Sequence, residues 1–140
     1  MRSEHSALLL DTHVWIWFNE GLPELSEQRR RSIDDAARRG EAWVSVMSVW
    51  EVSLLHAKQR LRLETSCLDW VHRALAPPLA VGALTPAIAV DGNNLPGQFH
   101  SDPADRIITA TARIAGLTVI TWDRQILDYA AQGYVSALPC

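Results

Sequence analysis

Cysteine, lysine and long apolar runs are scarce in this chain, and each scarcity removes a class of protein. Cys67 and Cys140 are the only cysteines among 140 residues, too few for a disulfide framework and without the paired spacing of a zinc site. No stretch approaches the ~18 apolar residues of a membrane span. The opening string MRSEHSALLLDTHVW carries charge and no long apolar core, unlike a signal peptide. A cytoplasmic protein with no membrane association is expected. Lys58 is the sole lysine, no basic tail or run exists, and the net charge is −3. Bulk positive charge therefore cannot carry nucleic-acid binding, and any such attraction must come from a local patch, a bound metal or assembly geometry. Also missing are a phosphate-cradling glycine loop, a Gly-x-Ser-x-Gly elbow and a His-x-x-x-His pair, which excludes the corresponding nucleotide-binding, serine-hydrolase and helical zinc-site chemistries.

What is present suits one globular domain over residues 1–140, at 48% hydrophobic and 21% charged. Short apolar runs at Ala7–Leu10, Ala42–Val46, Leu79–Ala83, Leu117–Thr121 and Tyr134–Ala137 read as strands. Helical patterns fill the intervals: His13–Phe18, Ser26–Arg39, Ser48–Gln59, Cys67–Ala76, Pro86–Val90, Pro103–Ala115 and Arg124–Ala131. Gly92–Ser101 reads as a loop by composition. Strands alternating with helices predict an α/β class fold with a central parallel sheet. Six tryptophans are many for this length; packing accounts for most, and any exposed surplus would mark a partner surface.

Four acids stand out, Asp11, Glu51, Asp105 and Asp123, three of them where an apolar strand-like run gives way to a helix or just inside that helix. Each has a purely structural explanation. Asp11 and Asp123 suit helix N-caps. Ser48-x-x-Glu51 has the form of a capping box. Asp105 falls in the first turn of a helix opened by Asp102-Pro103, where the helix dipole stabilises negative charge. Capping alone, however, does not require an acid at every one of these places. In a parallel sheet the C-terminal strand ends share one edge, where ligands bind. Carboxylates gathered there repel by about 4 kcal/mol per pair at ~4 Å and an effective dielectric of ~20. A divalent cation relieves that repulsion, so the pattern predicts oxygen-ligated metal and phosphate chemistry. The histidines are weaker candidates: His13 is close enough to Asp11 to reach the site but is expected to pack in the core, His56 and His72 are expected on helix surfaces, and His100, which precedes the Asp102-Pro103 helix, is a lesser candidate for substrate contact. Arg106 and Arg124 are candidate basic flanks, although solvated helix charges explain either one.

The strings LLLDTHVWIW, VSVMSVWEVSLL, HSDPADRIITATA and GLTVITWD resemble the PIN-domain nucleases, and most of all the VapC-type ribonuclease toxins of prokaryotic toxin–antitoxin pairs. The similarity runs from about Leu8 to Tyr134. Asp-Pro-x-Asp-Arg followed by Ile-Ile-x-Ala-Thr-Ala, then Thr-x-Asp closing a strand, is its most specific part. The resemblance implies a PIN-like three-layer α/β/α sandwich and an Mg²⁺- or Mn²⁺-dependent endoribonuclease. It implies that Asp11, Glu51, Asp105 and Asp123 are the catalytic and metal-binding quartet, with Asp11 and Asp105 the principal ligands. Thr12, Ser48 and Thr121 match small hydroxyl positions that support the acids or hold water, and Arg106 matches an arginine beside the third acid; with RNA bound, these four would form its surroundings. A homodimer and a cognate antitoxin that blocks the site are further implications. Two other readings are open: a non-catalytic binding module of the same fold that docks RNA or a protein, and a metal-dependent phosphatase acting on small molecules. The first has no need of a complete acid set, and the second needs a pocket closed around one ligand.

Overall fold

The computed structural model describes residues 6–140. The chain runs β1 (Leu8–Leu10), α1 (Thr12–Glu20), α2 (Glu27–Arg38), β2 (Ala42–Ser45), α3 (Val46–Ala57), α4 (Cys67–Ala74), β3 (Ala80–Gly82), α5 (Pro86–Gly92), α6 (Pro103–Ala115), β4 (Thr118–Thr121), α7 (Arg124–Ala131) and β5 (Ser136–Pro139). All five strands are parallel, in the order β3-β2-β1-β4-β5. β1 is central and all three of its leucines are buried, as a strand covered on both faces requires. Their side chains alternate between two cores. Leu8 and Leu10 join Val14, Trp15, Ile33, Val44, Trp70 and Ile120 under α1, α2 and α4. Leu9 joins Ile108, Ala112, Val119 and Ile126 under α6 and α7. The result is an α/β/α sandwich, as expected. α3 packs against α1, α4 and α6, and so closes the edge of the layers above β2.

Local chemistry sets most element ends. Ser26, Ser66 and Thr85 cap α2, α4 and α5 through side-chain oxygens that accept backbone N–H bonds. Gly116 ends α6 at φ 71°, with its N–H on the Ala112 carbonyl, which turns the chain into β4 without a Cβ penalty. Four of the tryptophans pack: Trp15 and Trp70 meet edge-on at 5.0 Å, and their indole N–H groups reach the Ala74 carbonyl (3.0 Å) and Glu20 Oε2 (2.9 Å). Trp17 is buried and Trp43 half-buried, while Trp50 and Trp122 are 54% and 59% exposed.

Two sequence expectations are corrected. Ser48 does not open a capping box, because α3 starts at Val46 and Ser45 is its N-cap, accepting from the Met47 N–H at 3.0 Å. The last strand is Ser136–Pro139 rather than Tyr134–Ala137. Its register is set by pairing with β4 from Thr118↔Ser136 onward, and Tyr134 and Val135 pack sideways against the Ile88–Ala110–Tyr129 cluster.

Leu9 is fully buried at the centre of the sheet. Leu9→Ala should destabilise the fold by about 2–5 kcal/mol, read as a lower midpoint with an unchanged slope in chemical denaturation.

Candidate metal centre

β1 and β4 are neighbours, yet the chain leaves β1 toward β2 and reaches β4 only after completing the other side of the sheet. This is the topological switch point, where open α/β sheets bind ligands. Asp11 sits at that gap, its N–H donating to the Ile120 carbonyl of β4 at 3.0 Å. Its Oδ1 accepts the Thr12 N–H (2.8 Å), capping α1, and its Oδ2 accepts the Thr121 hydroxyl (2.6 Å). Thr121 Oγ1 also accepts the Asp123 N–H at 2.9 Å, so one buried hydroxyl fixes both the first acid and the backbone of the fourth. Asp123 caps α7 with Oδ1, which accepts the N–H groups of Gln125 (2.7 Å) and Ile126 (3.2 Å), and its second oxygen is spare.

Glu51 enters from α3 and accepts the Thr12 hydroxyl on Oε1 at 2.5 Å, with Ser48 Oγ 2.8 Å from the same hydroxyl oxygen. Thr12, Ser48 and Thr121 are all buried. They lie beneath the acids and orient them; none is exposed to a polynucleotide. At the start of α6, Asp102 Oδ1 accepts the Asp105 N–H at 3.0 Å, which leaves the Asp105 carboxylate to the basin. The N-termini of α1, α6 and α7 thus all bring acids to one place, and each helix dipole favours negative charge there.

His100, not Asp11, comes closest to Asp105. His100 Nε2 is 3.0 Å from Asp105 Oδ2, and one donor atom from each of His100, Asp105 and Asp123 fits within 4.8 Å. The sequence pattern placed this histidine near substrate; its position beside two acids depends on the path of the Asn93–Ser101 loop. Arg106 holds that loop. Its Nε donates to the Gly92 carbonyl (2.8 Å) and its Nη1 to those of Phe99 (2.9 Å) and His100 (2.8 Å). Arg106 therefore clamps backbone through Nε and Nη1 and is itself half-buried. Arg124 remains exposed at the start of α7. His13 is half-buried between the rings of Trp17 and Trp122 rather than in the core.

Electrostatics single out Asp105. Burial, and then the charges of Asp11, Asp123, Asp102 and Glu51, push its pKa up to about 8. Burial also raises Asp11 and Glu51, against the bonds from Thr121 and Thr12 that favour the charged forms. Five acids thus share one electrostatic basin. A divalent cation would suit it: Asp105 and Asp123 can supply oxygens directly, and Asp11 and Glu51 complete the negative surroundings. Two open clefts lie beside other elements. One of about 670 Å³ runs between α6, α7 and β5, and one of about 610 Å³ is lined by Gln98, Phe99, His100, Arg106 and Tyr129. Neither is lined by the four acids, and the first is remote from the chemistry; the converging charges identify the site better than cavity size does.

A parallel α/β/α domain with acids converging at its switch point has the form of a metal-dependent phosphodiester hydrolase. A family model described as "PIN domain" matches residues 8–132. The chain is 33% identical over 124 residues to Ribonuclease VapC22 of Mycobacterium tuberculosis, covering 89% of this chain and 92% of that protein. The chain belongs to the PIN-domain family. Its fold is shared with VapBC2 from Rickettsia felis bound to a promoter DNA fragment (TM-score 0.68, 11% identity, 94% of this chain and 97% of that one). It is shared also with DNA-bound VapBC from Salmonella typhimurium (0.68, 14%, 96% and 98%) and FitAcB from Neisseria gonorrhoeae (0.64, 22%, 94% and 96%).

An acid whose pKa is raised in the folded state holds extra protons relative to the unfolded chain between the two pKa values, so folding loses stability as pH rises through that window. In EDTA the melting temperature should therefore contain a component that falls from about pH 4 to about pH 8. Saturating Mn²⁺ should flatten or reverse that fall by binding the ionised, folded form. Parallel Tm–pH curves with and without Mn²⁺ would contradict a formed site.

Proposed function

We propose that this chain is a divalent-metal-dependent endoribonuclease toxin restrained by a cognate antitoxin. The observation that carries the reading is the convergence of acids on Asp105, whose carboxylate is pushed toward the neutral form by burial first and then by four neighbouring acids, in a PIN-family domain related to a ribonuclease. A bound Mg²⁺ or Mn²⁺ would supply Lewis acidity, making water a better nucleophile and offsetting charge on the phosphoryl oxygens. The chain's own groups do the positioning. Thr121 fixes Asp11, Thr12 fixes Glu51, and the α7 N–H groups fix Asp123. These bonds hold the carboxylates on target before substrate arrives, which reduces reorganisation during reaction. Arg124 offers a cationic contact beside Asp123 for the RNA backbone.

Trp50 and Trp122 are exposed next in sequence to Glu51 and Asp123. Trp122 packs on Trp17 and on His13, the ring whose charge acts on Asp11, and we assign this exposed indole to the antitoxin surface. A homodimer acting in the cytoplasm completes the reading.

Protein freed of any partner should cleave RNA with Mg²⁺ or Mn²⁺, lose that activity in EDTA and regain it on metal addition. Asp105→Asn should lower the rate by roughly 10²-fold or more. Because it removes a repelled buried charge, the same variant should melt no lower than the parent in EDTA at pH 8. Parent-like cleavage by Asp105→Asn would refute the assignment, and EDTA-insensitive inactivity of the parent would favour a binding module.

A further inference from the structure

We propose that His100 is a nitrogen ligand to the cation, so that the site favours a first-row divalent transition ion over Mg²⁺. The inference rests on the metal-dependent reading above and adds to it a donor outside the acidic quartet. His100 Nε2 lies 3.0 Å from Asp105 Oδ2, and donors of His100, Asp105 and Asp123 fit within 4.8 Å. Donors on adjacent corners of an octahedron, each about 2.1 Å from its centre, are about 3 Å apart. The spacing is thus that of two ligands sharing one ion.

An ordinary hydrogen bond to Asp105 would be the simpler explanation of the contact. The geometry does not provide it. Nε2 is buried and, among the described residues, meets no acceptor at hydrogen-bonding geometry, although it lies at ion-pair distance from the Asp105 carboxylate. A buried polar atom without a partner requires a reason, and a shared cation supplies one.

The placement of the ring is built rather than incidental. Phe99 packs on the imidazole with centroids 4.6 Å apart, and itself rests on Tyr129 at 4.9 Å. The Tyr129 hydroxyl donates to the Pro96 carbonyl, and Arg106 donates to the carbonyls of Phe99 and His100. Gly97 has φ 67°, and a Cβ there would come within 2.7 Å of the Tyr134 ring, so the loop is pressed onto the domain. Loop, helix and aromatic stack together fix His100 beside the two acids.

Donor chemistry then predicts metal preference. Mg²⁺ takes oxygen ligands and keeps several waters. Imidazole nitrogen strengthens binding of transition ions. In its ligating form His100 carries its proton on Nδ1 and presents the Nε2 lone pair.

The test uses the full chain, freed of any partner, loaded with Mn²⁺ and studied by electron spin-echo envelope modulation. Bound Mn²⁺ should show a directly coordinated nitrogen whose coupling changes on ¹⁵N-histidine labelling. The coupling should persist in His13→Ala, whose imidazole is the other one near the basin, and vanish in His100→Gln. In His100→Gln, Mn²⁺ should still bind through the carboxylates, with its preference over Mg²⁺ in competition titrations reduced by about tenfold. Should His100→Gln not fold, a histidine coupling retained in His13→Ala still supports the assignment. Mn²⁺ bound without nitrogen coupling, or with coupling that survives His100→Gln, overturns the role of His100 and leaves the carboxylate site standing. No Mn²⁺ binding by the parent overturns the metal-dependent reading as well.

Discussion

Mutual repulsion among carboxylates at the gap between β1 and β4 is the constraint around which this molecule is organised. A small domain is only marginally stable, and crowding Asp11, Glu51, Asp102, Asp105 and Asp123 into one basin works against that stability. Asp105 is driven toward its neutral form by its burial and then by the charges of the other four acids. Such an arrangement persists only when the surrounding structure holds it. Here the holding is done by a parallel sheet whose fully buried central strand ends at Asp11, and by three helices whose positive ends meet the acids.

Capping and metal binding compete for the same residues on paper, but they use different oxygens. Asp123 spends Oδ1 on two α7 N–H groups and keeps Oδ2. Asp102 caps α6 and thereby frees Asp105, one turn further in, from any capping duty. Asp11 is the exception, with both oxygens already accepting bonds, from Thr12 and Thr121. The compact donor group lies around Asp105 and Asp123, while the bonds to Asp11 hold its carboxylate in a fixed direction. Thr121 links the two regions, since its oxygen accepts from Asp123 while its proton goes to Asp11. Losing that hydroxyl would loosen two acids at once.

Much of this was readable in the sequence where local chemistry fixes the outcome. α6 and α7 begin and end where Asp102-Pro103, Gly116 and Asp123 place them, because caps and glycine act within a few residues. The acids were recognisable from their positions after strands, and the family from its strings. What escaped was non-local. The start of α3 depends on Ser45 leaving β2, and the apparent Ser48–Glu51 box was a coincidence of spacing: both side chains turn to Thr12, a residue from the other end of the first βαβ unit. β5 was displaced because Tyr134 and Val135 are recruited by an aromatic cluster that no periodicity records. His100 was visible as a candidate, but its role follows from a loop conformation imposed by Arg106, Tyr129 and Gly97.

The Asp105-Arg106 pair joins these two levels of organisation. Adjacent residues on a helix project in different directions, about 100° apart. In the first turn of α6 this sends the carboxylate into the basin and the guanidinium to the carbonyls of Gly92, Phe99 and His100. One helical turn therefore positions both an acid of the site and the loop that covers its flank. Replacing Arg106 by a lysine would keep the charge but lose the fork that bonds three carbonyls at once. The loop would then be free to carry His100 away from Asp105 while the four acids stayed in place. The arginine beside the third acid thus acts on the site through backbone geometry, and its charge need not touch the substrate to matter.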